Sequence, residues 1–437
     1  MRKKVLIITY YWPPSGGAGV QRWLKTTKYL QEFGWDPIIL TPENPDFDLK
    51  DQSLLKDVSP KLMVVKTPIW EPYGIYQKIA GGKKSAPANT GAPSKEGKKG
   101  LLAKVAVWAR GNLFIPDPRK FWVKPTIKTA CDLIKSHKID YVISTGPPHS
   151  MHLIGLGIKK KLPQIKWLAD FRDPWSTMDS INSYYLSNFA KSRHKDLEME
   201  VCQNADRVVM VTDQMLDDLV LHIPQKTSVI ENGFDHADFQ NLDGPTNKKF
   251  IVSHYGTLYP FRNPSELWRA LSELCKENSE FADLLEINLG GKVELEVKNE
   301  ILSYPELKTR TIFHGYISHD HVVKKMAESN LLLLLINKNQ GNEGKGYLTG
   351  KIYEYFAVQR PILVFDVKDG VASKAVKKAV DSHIVFYNSP SIIDELKKEL
   401  LLAYTNRLNE VKSDKDFIFQ FTRQAGAKKM SELLLSI

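Results

Sequence analysis

The chain has little cysteine, and what it has is scattered. Cys131, Cys202 and Cys275 are its three, with no Cys-x-x-Cys pair. That pattern excludes a disulfide scaffold and a structural zinc site, and it fits a reducing compartment. Long apolar runs are missing too. The longest purely aliphatic stretch is "LLLLLI" at 331–336, far short of the ~20 residues that cross a bilayer. An acidic excess is also absent: 61 Lys and Arg face 50 Asp and Glu, leaving a net charge of +11. Such a balance favours an anionic partner, whether nucleotide, membrane surface or nucleic acid.

What is present is a globular composition spread over 437 residues, more than one ordinary core can organise, so two domains are expected. The amino end, "MRKKVLIITYYWPPSGGAGV", sets basic residues before an apolar run as a signal peptide does. Thr9, Tyr10, Tyr11, Trp12 and then Pro-Pro cut that run short, so it reads as a buried first strand. The expected location is cytoplasmic.

Short, continuously apolar segments alternate with helical patterns. Strands are expected at 5–9, 37–40, 63–66, 140–145, 166–170, 207–211 and 228–230. After the polar, Gly-Pro-containing stretch 240–249 the series restarts at 250–256, 284–290, 311–315, 330–335, 361–365 and 383–386. Continuous apolar strands separated by helices predict parallel sheets covered on both faces. Two doubly wound α/β domains flanking a cleft follow: residues 1–240 and 250–414, with a final helical segment, 415–437, packing back on the first domain. One insertion, "GGKKSAPANTGAPSKEGKKG" at 81–100, has five lysines and no large apolar residue, and reads as a mobile loop. The next residues, "LLAKVAVWARG", put Leu101, Leu102, Val105, Trp108 and Ala109 on one helical face. That face suits either an anionic membrane surface or the chain's own core.

Four groups of residues can carry chemistry. The first is the glycine cluster after the opening strand. A dinucleotide fingerprint needs G-x-G-x-x-G directly after its strand; Gly17-Ala18-Gly19 continues instead as Val20-Gln21-Arg22, and the turn from Thr9 to Gly16 is long. NAD is therefore not expected. Gly16, Gly17 and Gly19 would instead let backbone N–H groups approach a ligand. The second group follows two strand ends, where open parallel sheets bind ligands: "STGPPHSMH" (144–152) and "ADFRDPW" (169–175). His149, Asp170, Arg172 and Asp173 could share a site, an Asp or His taking a proton from a hydroxyl, or Arg172 could pair with an Asp to fix a loop.

The third group is "EGKGYLTGKIYEYFAVQRPILVF" (343–365). Thr349 and Gly350 stand at a helix start, where free N–H groups and the helix dipole receive a diphosphate. Lys351 adds charge. Ile352, Tyr355 and Phe356 form the buried face, leaving Glu354 to accept hydrogen bonds from a ribose diol. The fourth, "HGYISHDH" (314–321), holds three histidines, His314, His319 and His321. A strand end followed by an N-cap at Ser318 explains their spacing, so no metal is expected.

These motifs, with "VIENGFD" (229–235), "HYGTLYPFRNP" (254–264) and "FTRQAGAKKMSELL" (421–434), give the chain a resemblance along nearly its whole length. It resembles the family 4 glycosyltransferases, retaining enzymes of the GT-B fold, with two Rossmann-like domains facing an interdomain cleft. The likeness is nearest to the branch that builds bacterial capsule, exopolysaccharide and O-antigen. The resemblance implies a ribose-binding role for Glu354, a diphosphate site at Thr349, Gly350 and Lys351, and phosphate neutralisation by Arg262. It also implies a nucleobase border at Gly315, Tyr316 and Ile317. His149 and the Asp170–Asp173 loop would wall the acceptor and reacting sugar, and Gly16 and Gly17 would approach the donor phosphate or acceptor. Two departures stand out. The first of the family's paired glutamates is replaced by Gly346, with Glu343 the nearest substitute, and Thr257 stands where many members have Arg.

The resulting expectation is a retaining, metal-independent transferase without a cofactor. It would use a UDP- or GDP-sugar on a polyprenyl-linked or oligosaccharide acceptor, at the inner face of the plasma membrane. Alternatives are a same-fold sugar-nucleotide epimerase or hydrolase and a nucleic-acid-binding protein. The last is disfavoured because no aromatic-rich basic RNA motif occurs.

Overall fold

The computed structural model describes residues 2–437 except 48, 73–100, 178–183, 247, 337–347, 369, 388 and 408, and the side chains at 18, 101–104 and 106 are likewise outside the description. The loop expected at 81–100 lies outside the described residues. The chain forms two compact units: residues 1–231 with 426–437, and residues 232–425.

The first unit is built on a seven-stranded parallel sheet: β1 (Lys3–Ile8), β2 (Trp35–Pro42), β3 (Met63–Thr67), β4 (Tyr141–Gly146), β5 (Lys166–Phe171), β6 (Arg207–Met210) and β7 (Thr227–Val229). Its order is β3-β2-β1-β4-β5-β6-β7, so chain direction across the sheet reverses between β1 and β4. The second unit holds β8 (Phe250–Tyr255), β9 (Leu285–Gly290), β10 (Thr311–Gly315), β11 (Leu331–Leu335), β12 (Ile362–Asp366) and β13 (Ser382–Phe386). Their order, β10-β9-β8-β11-β12-β13, reverses between β8 and β11. Each of the thirteen expected segments overlaps one of these strands.

The apolar strands have no polar face because both faces are covered. In β1, Leu6 and Ile8 enter one core while Val5 and Ile7 enter another. In β11, Leu331, Leu333 and Leu335 pack on one side, and Leu332 and Leu334 on the other. Period-2 alternation thus divides one apolar run between two helical layers. Truncating any of these buried leucines to Ala would cost about 2–5 kcal/mol.

The final helix, Arg423–Leu435, brings Met430 and Leu434 into the core that contains Val5 and Ile7. At its start, in the second unit, the Phe234 N–H donates to the Phe421 carbonyl at 3.1 Å and the Arg423 N–H to the Phe234 carbonyl at 2.7 Å. A Cβ on Gly233 would lie 2.0 Å from the Phe421 carbonyl oxygen, so only glycine permits this approach.

Candidate functional site

In open α/β sheets ligands bind beyond the carboxyl ends of strands, at the point where strand order reverses. In the first unit that point lies between β1 and β4, and the segments leaving β1, β4 and β5 carry Gly16–Gly19, His149 and Arg172–Asp173.

Gly17 (φ +83°) precedes the helix Ala18–Leu30 as its N-cap, a conformation that favours glycine. Gly16 does not offer its amide to a ligand as expected, because its N–H donates to the Leu49 carbonyl at 2.9 Å. Gly19 lies within the helix. A Cβ there would meet Tyr11 at 3.0 Å and the Arg172 guanidinium at 3.2 Å.

Arg172 acts as a strut between loops. Nη1 donates to the Gly19 carbonyl at 2.9 Å and Nη2 to the Pro147 carbonyl, while its guanidinium lies over the Tyr11 ring. An Asp partner for Arg172 was one sequence reading; Asp170, two residues before it, pairs instead with Arg22, while adjacent Asp173 feels the Arg172 charge. Asp170 is fully buried and receives Arg22 Nη2 at 2.8 Å, Trp23 Nε1 at 2.7 Å and Thr145 Oγ1 at 2.9 Å. Arg22 also donates to the carbonyls of Ile230 and Glu231, each at 3.0 Å. With its oxygens occupied by these donors, Asp170 is a structural anchor and does not face a ligand, which corrects its assignment as an acid or base. Arg22 occupies the position of the third glycine in a dinucleotide fingerprint. Where such proteins need a small residue for helix–strand packing, this chain threads a guanidinium beneath the helix to the β5 carboxylate.

Asp173 keeps part of its surface exposed. Burial of the remainder raises its carboxyl above the ordinary value, and the Arg172 charge opposes that rise. His149 sits one residue before the helix Ser150–Lys161, its ring stacked on Trp175 with centroids 4.9 Å apart and planes 5° from parallel. Neither ring nitrogen makes a well-formed hydrogen bond, although the Pro174 carbonyl lies nearby. Burial first, then His152 and His194, hold it well below the usual imidazole range, so it is a neutral base at ordinary pH.

His149 is one of three buried histidines here; the sequence sets His149 and His152 three residues apart, but gives no sign of His194 beside them. His152 stacks on Phe171 at 4.2 Å and shares a hydrogen bond with Ser144 Oγ, which also accepts Trp167 Nε1–H. His194 Nδ1 accepts the Trp175 indole N–H at 3.1 Å, which fixes its tautomer as Nε2–H. Burial lowers His152 to about 3, with Arg172 adding to the effect, and lowers His194 to about 4 against the opposing pull of Asp117. A Cβ at Gly146 would lie 2.6 Å from His152 Nε2 and 3.0 Å from His149 Nδ1, so a glycine ends β4.

In the second unit the reversal lies between β8 and β11. The connection from β11 to β12 contains the helix Lys351–Val358, with Gly350 as its N-cap. Ile352, Tyr355 and Phe356 are buried as the spacing predicts. Thr349 Oγ1 is buried without a hydrogen-bond partner. Lys351 does not project alone, since its ammonium sits 2.6 Å from Glu354 Oε2. Burial alone would raise the Glu354 carboxyl, but Lys351, His319 and Arg423 outweigh it and hold the group below its ordinary value. Glu354 is therefore an ionised, partly accessible acceptor in the first turn of a helix. Glu343 lies outside the described residues.

Arg262 ends the short 3-10 helix Pro260–Arg262 after β8, and its guanidinium lies over Phe261. Within reach of its charge and of that of Lys351 is a residue the sequence did not single out, His254 near the end of β8. His254 Nδ1 bonds the Leu333 carbonyl at 3.0 Å, and Nε2 is buried without a partner. Burial, with Arg262 and Lys351 assisting, lowers this imidazole to about 4.

Gly315 (φ +66°) ends β10, and the Gly291 N–H donates to its carbonyl at 2.6 Å. Tyr316 is exposed, whereas Ile317 packs inward, 2.9 Å from where a Cβ on Gly290 would stand. The three histidines of this segment have separate partners: His314 bonds Asn288, His319 bonds Asp238 at 3.1 Å, and His321 bonds Ser318 at 2.7 Å. Ser318 is the N-cap of the following helix. Among the described residues no group of three or more His, Cys, Asp or Glu could hold a metal ion.

No protein-family model matches the chain, and no curated protein matches it in sequence. Solved structures do. A glycosyltransferase from Rickettsia africae aligns over 100% of this chain and 98% of its own at 15% identity, TM-score 0.58. Sucrose-phosphate synthase from Thermosynechococcus elongatus aligns over 100% and 99% at 13% identity, TM-score 0.62. Anabaena HepE, solved with UDP and glucose, aligns over 100% of both chains at 13% identity, TM-score 0.59. At these identities the likeness establishes architecture: the chain has the GT-B fold, with two Rossmann-like parallel-sheet domains.

Proposed function

We propose that this protein is a nucleotide-sugar-dependent glycosyltransferase. The observation that carries the proposal is the start of helix Lys351–Val358, at the strand reversal of the second unit. It combines helix amides, an unpartnered Thr349 hydroxyl, the Lys351 ammonium and the ionised Glu354 carboxylate. Glu354 accepts the ribose hydroxyls, the helix start and Lys351 receive the diphosphate, and the segment Gly315–Ile317 borders the base. As the glycosidic bond breaks, negative charge grows on the departing diphosphate. Lys351, Arg262 and the helix dipole stabilise it, the electrostatic contribution expected to be largest. These cations make the reaction metal-independent in this proposal, so chelation with EDTA leaves turnover unchanged.

The first unit supplies the acceptor side through His149, Asp173 and the loop held by Arg172. The proposed reaction is retaining, with a lipid-linked or polysaccharide acceptor in surface-glycan synthesis at the inner face of the plasma membrane. A soluble sugar-phosphate acceptor is the second reading, favoured by the likeness to sucrose-phosphate synthase.

A panel of UDP-, GDP- and dTDP-sugars scored by thermal shift tests the donor. A ligand at a hundred times its Kd adds about 2.7 kcal/mol of apparent stability. A shift with one base series, followed by sugar transfer to an acceptor, supports the proposal. No shift with any of them overturns it, and nucleotide release without an acceptor points to an epimerase or hydrolase.

A further inference from the structure

We infer that one face of the first unit is a docking surface for an anionic lipid bilayer. On the helix Leu101–Leu113 the apolar side left two readings open. The structure leaves Val105 and Trp108 exposed, along with Leu113 at 58%. These side chains continue into a wider patch whose connections are explicit. Asn112 Nδ2 donates to the Trp108 carbonyl at 2.8 Å and to the Tyr185 carbonyl at 3.3 Å, and its Oδ1 accepts the Ser187 N–H. Ser187 caps the helix that begins with Asn188 and Phe189; Phe189 is 74% exposed, the most open large hydrophobic side chain among the described residues. On the other flank Lys120 donates to the Leu113 carbonyl and lies over the Phe121 ring, which meets exposed Trp70 edge-on at 4.7 Å. Contiguous exposed apolar surface of this kind marks an interaction site.

Charge identifies the occupant. Segments 101–128 and 184–195 contain nine Lys and Arg but one acidic residue, Asp117; of the nine, Arg119 is buried and paired with Glu71. That carboxylate is already engaged, accepting the backbone N–H groups of Arg119 and Ser150 at 2.9 Å each. Lys124, Lys128, Lys191, Arg193 and Lys195 are exposed around the aromatic side chains. Aromatic and aliphatic side chains ringed by exposed cations suit a surface of acyl chains beneath anionic headgroups. A second copy of this chain suits it poorly, because an isologous contact would set the same positive excess on both sides. Among the described residues no helix is long and apolar enough to cross a membrane.

The test needs no nucleotide-sugar, so its outcome is separate from that of the donor reading. Full-length protein is sedimented with phosphatidylcholine vesicles, with or without phosphatidylglycerol. Binding should require the anionic lipid. The double variant Trp108→Ser/Phe189→Ser should lose about tenfold in partitioning, while its melting temperature stays at the wild-type value. Absence of wild-type binding at low salt overturns the inference. So does binding that the double variant retains in full, which would show charge attraction without apolar insertion. A concentration-dependent dimer abolished by Phe189→Ser, with no vesicle binding, would reassign the face to self-association.

Discussion

Replacing Arg22 by methionine probes the interaction that most distinguishes this glycine loop from a dinucleotide site. The side chains of Arg22 and Asp170 are 4% and 0% exposed, 2.8 Å apart, and Arg22 also holds the carbonyls of Ile230 and Glu231. Methionine keeps most of the volume but removes the guanidinium, leaving a buried carboxylate with only the Trp23 and Thr145 donors. Breaking a buried pair from one side costs about 3–5 kcal/mol. For a unit of this size that corresponds to a melting point lower by roughly 6–20 °C. Urea denaturation followed by tryptophan fluorescence measures the loss. The double variant Arg22→Met/Asp170→Leu should recover most of it, because no uncompensated charge remains. A loss below about 1 kcal/mol in the single variant, or a double variant no more stable than the single, would refute the role given to this pair.

Three further outcomes follow from the same geometry. Folded His152 and His194 titrate far below the ordinary value near 6.5, so between those values the unfolded chain binds more protons. Stability is therefore full above about pH 6.5 and falls as pH drops toward 4, with a slope approaching about 1.4 kcal/mol per pH unit for each histidine; urea midpoints at pH 7, 6 and 5 measure it, and His194→Gln should flatten the profile. Gly146→Ala forces a Cβ against His152 and His149 and should cost about 1–3 kcal/mol by overpacking, read from the same midpoints. Arg172→Lys removes the planar fork that reaches both Gly19 and Pro147; limited proteolysis in the segment 11–19 should become faster at little cost in overall stability.

Much of the architecture was legible because its signals are local. An apolar run such as 331–335 must be covered on both sides wherever it lies, and Pro361 after a short amphipathic helix marks the start of β12. The helix start at Thr349–Lys351 could be read from glycine placement and from the stripe Ile352, Tyr355, Phe356. What could not be read was pairing over distance. Arg22 and Asp170 are 148 residues apart, and the sequence offered only a missing glycine at position 22. His254 looks like an ordinary strand residue until Arg262 and Lys351 are placed near it, and His194 lies between Arg193 and Lys195 on a helix whose buried stripe is Ala190, Leu197 and Val201. Side-chain exposure on the helix Leu101–Leu113 was equally out of reach, since an apolar stripe reads the same whether it faces a core or a bilayer.

The central claim is that Glu354 holds the ribose of a nucleotide-sugar, and calorimetric titration of Glu354→Ala tests it most directly. The nucleotide-sugar that binds the wild type most tightly should bind the variant about 10- to 100-fold more weakly, as expected on losing hydrogen bonds to a charged acceptor. An analogue lacking the 2′ and 3′ hydroxyls should bind both proteins equally. Wild-type affinity for every nucleotide-sugar in the variant would contradict the account.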